Sequence, residues 1–461
     1  MTDLDLSRVW LVDPAAGREG PGEIVVRDGI LEAVTWLESA DADGIDASGV
    51  IVAPGFIDLH AHLREPGNED AETVATGLAA AAHGGFTTVC AMGDTMPALD
   101  EPGVLGRVLA AGLASGSPVE LLAYGAVTVG RGGGTLAALG ELADAGVVGF
   151  SDDAAPVRSP SILRNALTYA GALGLPVVDH AEDATQTEGA EANDGFVATV
   201  LGLRGWPTAA EASAVARDLA ILDEVCRDVP GARLHLAHLS TASSLDLVRR
   251  AKAAGLPVTC DVTPHHLALT DEWVAGARRF AWEAGPDGDP WRDEAIVAGP
   301  FASSVRVDPP LRSPADALAV LAALADGTAD AIATDHAPNT EVDKAVEFGL
   351  AARGIGGLET AIGLVLAAVD AGQLSLMRAV AALTTGPAAF LGDRSRRAGG
   401  IGLVEGAPAD LVLIDRSEAW TVTSDGLASK GKASPLIGMT LPGHVVLTMA
   451  GGRVAYEAPD A

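Results

Sequence analysis

Lysine is nearly missing from this chain. It occurs four times in 461 residues, at Lys252, Lys344, Lys430 and Lys432, so nothing before position 252 can rest on a lysine. Basic residues are scarce in general. Thirty Lys and Arg stand against sixty-two Asp and Glu, a formal net charge of −32. A surface so acidic repels nucleic acid and anionic membranes, which excludes both as partners. It reads as a solubility habit rather than a binding surface. Cysteine appears three times, at Cys90, Cys226 and Cys260, scattered and in apolar surroundings. That leaves no disulfide framework and no CxxC metal knuckle, only core thiols. No apolar run reaches the roughly 20 residues of a membrane span. The start, MTDLDLSRVW, has neither the basic residues nor the apolar stretch of a secretion signal. The expectation is a cytoplasmic protein.

What is present is apolar residue in quantity, 48% of the chain, enough for a large core. Short β-branched runs recur: GFIDLH (55–60), FTTVCAM (86–92), VELLAYGAVTV (119–129), GVVGFS (146–151), LPVVDH (175–180), ARLHLAH (232–238), LPVTCDV (256–262) and DAIATDH (330–336). Alanine-rich stretches of helical period, many ending in glycine, separate them. Eight strand–helix units predict parallel strands joined by right-handed crossovers, and a (β/α)8 barrel of the TIM type. An open doubly wound sheet is the competing arrangement.

Both ends read differently. Residues 1–52 and 393–461 alternate in the manner of hairpins, and neither end can form a core alone. They are expected to combine into one small β-sandwich beside a barrel spanning 53–392. From about 273 to 305 the rhythm breaks, in a segment holding three of the seven tryptophans. It follows strand seven, where a long loop is either a lid or a plain surface insertion.

Functional groups in a parallel barrel gather at the C-terminal ends of strands. Here strand one ends at His60 and continues to His62. Strand four runs into Ser151-Asp152-Asp153, strand five ends at His180, strand six at His238 and strand eight at Asp335. Singly, a strand-end histidine is commonly a hydrogen-bonded structural residue, and an Asp-Asp pair a turn or cap. Together, four imidazoles and carboxylates on one rim make a donor set for Zn²⁺ or a related divalent metal, one or two ions. His60 and His62, two apart on a strand, point the same way. Such a metal ionises water near pH 7 and polarises carbonyls. Asp335 is the natural carboxylate to take a proton from water and pass it to a leaving nitrogen. His235, three residues before His238, is expected to face the other side, among helices. His265 and His266 read as structural. GRGGGT (130–135) lacks the GK[ST] of a phosphate loop and reads as a flexible loop.

The motifs HAHLREPG, GGFTTVCAM, SDDAAPV, HAEDA, LHLAHLSTA, VTPHHLALTDE, DPPLR, ATDHAP and ASKGKASPLIG stand in an order that resembles the dihydroorotases of the amidohydrolase superfamily. The resemblance covers essentially the whole chain. It implies a barrel with a composite β-domain and reversible hydrolysis of dihydroorotate to carbamoyl aspartate, a step of pyrimidine synthesis. By the same resemblance His60, His62, His180 and His238 would be metal ligands, with Asp335 both ligand and general acid/base. Arg64 would meet the substrate carboxylate through its planar fork. Many relatives bridge two metals with a carboxylated lysine at the end of strand four. No lysine precedes 252, so an aspartate takes that place, as in the bacterial dihydroorotase branch: Asp153 by spacing, with Asp152 the runner-up. A homodimer is expected, and aspartate carbamoyltransferase as a partner.

Three positions that the resemblance expects to hold the substrate depart from the family. Asp94 stands where MPNTNP has asparagine, Asp308 where NPPLR has asparagine, and Asn339 where DHAPH has histidine. An ionised aspartate cannot donate to a substrate carboxylate. Either Asp94 is neutralised, by protonation or by an arginine, or the ring handled lacks the carboxylate (a hydantoin or ureide). A third outcome is a silent scaffold for the carbamoyltransferase. Arg278, Arg279 and Arg292 in the 273–305 segment are candidate counter-ions.

Overall fold

The structure, a computed structural model, describes residues 3–38, 46 and 48–459. Near the N-terminus β1 (Leu4–Asp13), β2 (Arg18–Arg27) and β3 (Ile30–Trp36) pair as successive hairpins, and β4 (Val50–Pro54) runs parallel beside β1. One residue later β5 (Phe56–Ala61) begins a different arrangement. It is followed by β6 (Phe86–Ala91), β7 (Glu120–Ala123), β8 (Val177–Asp179), a short β9–β10 ribbon (Ala192–Asn193, Gly205–Trp206), β11 (Leu234–Leu236), β12 (Val258–Val262) and β13 (Ala331–Ile332). The chain closes with β14 (Leu411–Thr421), β15 (Thr440–Ala450) and β16 (Arg453–Glu457).

From β5 to β13 the ladders are parallel, and they go round. β5 pairs β6, and β6 pairs β7. Parallel bridges Gly125–Phe150 and Phe150–Val177 carry the order through the fourth segment to β8. β8 pairs β11, β11 pairs β12 and β12 pairs β13. A parallel bridge from His336 to Ala61 returns to the first strand. Between successive members lie helices at Val74–His83, Pro102–Ser115, Leu139–Ala145, Pro160–Ala172, Thr208–Asp228, Ala242–Ala253, Pro314–Asp326 and Ala361–Asp370. Buried on both faces, the strands read as continuous apolar runs. Ile57, Leu59, Cys90, Met92, Tyr124, Val148, Val178, Ala237 and Ala333 pack together as the lining of the ring.

Strands from both ends share one sheet, ordered β16-β15-β14-β4-β1-β2-β3. By hydrogen bonding it is one continuous seven-stranded sheet, where a sandwich would require two. β4 inserts between β1 and β14, so the last strand before the ring is clamped by C-terminal chain. Cys90 and Cys260 are buried and Cys226 half-buried, all with free thiols.

His235 corrects an expectation. It pairs with Val178 across the ladder and lies inside the ring, with Nε2 2.8 Å from Asp261 Oδ2 and Nδ1 2.8 Å from Thr259 Oγ1. His238 still reaches the rim because its backbone turns to a left-handed φ of 38°. That turn breaks the alternation on which the sequence argument relied.

Candidate functional site

Carboxylates beneath the rim fix the strand ends. Asp58 accepts from Thr334 N (2.8 Å) and Thr334 Oγ1 (2.6 Å), tying the first strand to the eighth. Asp261 accepts from the His238 amide at 2.6 Å. Asp152 accepts from Val127 N, Thr128 N and Thr128 Oγ1 at 2.8, 3.0 and 2.5 Å, so its carboxylate is consumed by a turn. Its neighbour Asp153 is the one that faces the histidines.

The structure brings together His60, His62, Asp153, His180, His238 and Asp335. Oδ2 of Asp153 lies 3.1 Å from His60 Nε2 and 3.4 Å from His62 Nε2. Asp335 Oδ1 is 3.4 Å from His62 Nε2 and 3.7 Å from His60 Nε2. The other oxygen, Oδ1 of Asp153, lies 3.0 Å from His238 Nε2 and 3.3 Å from His180 Nδ1. Asp153 therefore joins two donor groups, one per oxygen. All six residues are buried. Bonds of about 2.0–2.2 Å to a tetrahedral divalent ion place neighbouring ligand atoms about 3.4 Å apart. These spacings and this donor chemistry fit such an ion. His180 offers Nδ1 inward while Nε2 sits 3.2 Å from Glu182 Oε2, the carboxylate-to-imidazole support usual behind a metal ligand.

Burial alone would raise the Asp153 and Asp335 carboxyls. The imidazoles around them, His60 foremost for Asp153 and His62 for Asp335, hold both well below the usual carboxylate range. Three residues here have left-handed backbone without being glycine: Arg64, His238 and Asp335, at φ 62°, 38° and 47°. Such strain persists where surrounding structure over-determines it, commonly at functional sites.

Next to these donors lies a cavity of about 330 Å³ whose lining includes His62, Arg64, Asp308, Asp335, Asn339 and Arg353. That volume suits a small ring. A larger cavity of about 450 Å³ opens among residues preceding the strands, such as Arg233, Pro257 and Asp330, and holds none of the predicted site residues. The cavity's lining includes nothing from 273–305. Arg279 of that segment pairs with Glu272 at 2.8 Å, and Arg278 lies over Trp273, so neither serves as counter-ion to Asp94.

Asp94 is neutralised from elsewhere. Its Oδ2 accepts from Arg64 Nη1 at 2.8 Å and lies 2.8 Å from His62 Nδ1. Against the upward push of burial, His62, Arg64 and Arg131 hold this carboxyl well below its usual range. Arg131 comes from the GRGGGT loop, which it fastens by donating to Asp152 O at 3.1 Å. Asp308 takes Arg353 Nη1 at 2.7 Å. Asn339 turns inward: its Nδ2 donates to the carbonyls of Ala337, Arg353 and Gly354 at 2.9–3.1 Å. That amide nitrogen is fully used by backbone, which corrects the expectation of a substrate donor there.

Sequence reading assigned no role to Glu182 or Arg353. Glu182 had a signal, its position two residues after His180 in HAEDA. Arg353, in AARGIGG, had none.

Residues 49–244 match the model of the dihydro-orotase-like family, and 226–456 that of the amidohydrolase family. A dihydroorotase of Anaeromyxobacter dehalogenans is 45% identical, over 98% of this chain and 97% of its own. One from Pelotomaculum thermopropionicum is 43% identical over 97% of each. Among solved structures, the L-hydantoinase (dihydropyrimidinase) of Arthrobacter aurescens superposes with a TM-score of 0.76, at 26% identity, covering 99% of this chain and 96% of that one. A D-hydantoinase structure gives 0.74 at 19% identity, covering 99% and 95%, a likeness of fold alone. The architecture is that of a TIM-barrel-type amidohydrolase with an added β-domain.

Proposed function

The chain belongs to the dihydroorotase family, and from that membership we propose that it opens dihydroorotate to carbamoyl aspartate and closes it again. The observation that carries the reading is Asp153, whose two oxygens divide between His60/His62 and His180/His238 at the mouth of the ring. In this reading His60, His62, Asp153, His180, His238 and Asp335 hold one or two zinc ions. When bound, zinc supplies Lewis acidity, polarising an amide carbonyl and letting water ionise near pH 7. Asp335, at the cavity wall, takes the proton from water and returns it to the ring nitrogen as the C–N bond breaks. Glu182 keeps the His180 tautomer that offers Nδ1 inward. Arg64 commits Nε to Pro338 O and Nη1 to Asp94, and keeps Nη2 for the substrate carboxylate.

We infer in addition a closed (β/α)8 barrel over 53–392, with termini 1–52 and 393–461 as its companion domain. A homodimer and an aspartate carbamoyltransferase partner are proposals of the same reading, tested by light scattering with and without that enzyme. The silent-scaffold alternative has little support, because such a protein need not keep six converging donors. The test is an assay in both directions on protein of known metal content. Turnover of dihydroorotate supports the reading, and a fully loaded but silent protein ends it.

A further inference from the structure

The cavity contains a second guanidinium, and its geometry differs from the first. Arg353 lies over the Trp206 ring at 4.5 Å and donates from Nη1 to Asp308 at 2.7 Å. Trp206 is 3% exposed and anchored in the β9–β10 ribbon, so it offers a fixed plane for stacking. From below, Asn339 Nδ2 holds the Arg353 carbonyl at 2.9 Å. Gly354 has φ 104°, and a Cβ there would meet Ala337 at 2.6 Å, so the segment presses against the loop carrying Asp335. Three loops thus fix one side chain that remains 36% exposed and lines the cavity.

Carboxylates are best held by two parallel N–H groups on one edge of a guanidinium. Arg64 has lost both edges: Nε is on Pro338 O and Nη1 on Asp94, which leaves only Nη2. Arg353 uses Nη1 alone among the described residues, so its Nε–Nη2 edge stays whole. The three other groups expected at the substrate do not donate: Asp94 and Asp308 are carboxylates that accept from Arg64 and Arg353, and the Asn339 amide nitrogen is taken. We propose that Arg353, set by Trp206, Asp308 and Asn339, supplies the two-pronged grip on the ring carboxylate, beside the single Nη2 of Arg64, and so selects a carboxylated ring. This rests on the dihydroorotase reading and names the group that gives it specificity.

The test compares R353M and R353K with the wild type, each with metal content and melting temperature measured, on dihydroorotate and on 5,6-dihydrouracil, which lacks the carboxylate. A charge-assisted pair is worth about 1.5–3 kcal/mol, roughly 10- to 100-fold. R353M should raise KM for dihydroorotate at least tenfold, with kcat within threefold and unchanged kcat/KM for dihydrouracil. R353K keeps the charge but not the edge, so its KM should stay at least fivefold high. An unchanged KM in R353M, equal losses on both rings, or full recovery by lysine would each overturn the assignment. Each of those results leaves the family activity standing. A wild type silent on dihydroorotate with full metal overturns the functional reading itself, and this inference with it.

Discussion

On one side of the cavity each of four imidazoles lies 3.0–3.7 Å from an oxygen of Asp153 or Asp335. On the other, the lining arginines Arg64 and Arg353 are each already paired with an aspartate, Asp94 at 2.8 Å and Asp308 at 2.7 Å. The first wall is a set of donors in two groups joined through Asp153. The second is a set of ion pairs that must share their cations with any incoming anion. A metal-binding wall is defined by which residue types meet, because imidazole nitrogen and carboxylate oxygen have one thing to offer. A substrate wall is defined by which hydrogen-bond donors remain after the protein has satisfied itself. Substitutions on the two walls should therefore fail in different ways.

The largest effect is expected at the group joining both donor sets. D153A should lose bound metal and at least about a thousandfold in kcat, the scale on which Lewis acidity and an activated nucleophile act together; metal analysis with steady-state kinetics checks both. D335N should keep more metal than D153A yet lose roughly 10²- to 10⁴-fold in kcat, the usual range for a proton carrier. If both variants lost metal equally and activity in proportion, Asp335 would be only a ligand. E182Q should weaken zinc by about 10- to 100-fold in equilibrium dialysis, through His180 rather than by direct contact. D94N, on the substrate wall, should free Arg64, lowering KM for dihydroorotate by roughly threefold at saturating metal, the worth of a modest ion pair. It should also weaken metal as E182Q does, because Asp94 lies 2.8 Å behind His62 Nδ1. A rise in KM would mean that Asp94 orients Arg64 more than it competes for it. Smallest, N339A should keep metal and lower the melting temperature by a few degrees through the lost backbone bonds, about 1 kcal/mol each.

The contrast between walls also explains what could be read from the sequence. His60, His62, His180, His238 and Asp335 end apolar runs, and strand ends of a parallel ring face one rim, so position alone suggests convergence. Choosing Asp153 over Asp152 from the residues alone was not open, because the choice turns on Thr128 and Val127 taking one carboxylate in a turn. His238 shows the limit of alternation: a left-handed residue at φ 38° sends the chain off period and leaves His235 inside the ring, where simple counting puts it outside. The substrate wall was least legible. Asp94 with Arg64 is a pairing across 30 residues, Asp308 with Arg353 across 45, and Arg353 on Trp206 joins a loop to the distant β9–β10 ribbon. Periodicity carries no information about such partners. The continuous terminal sheet was half legible: hairpins show in the alternation, but not the insertion of β4 between β1 and β14.

The most direct measurement is dihydroorotate turnover as zinc is titrated into metal-stripped protein. The account predicts background activity at the start and a rise that saturates at one or two equivalents per chain. Full activity in the stripped protein, or silence at saturation, would contradict it.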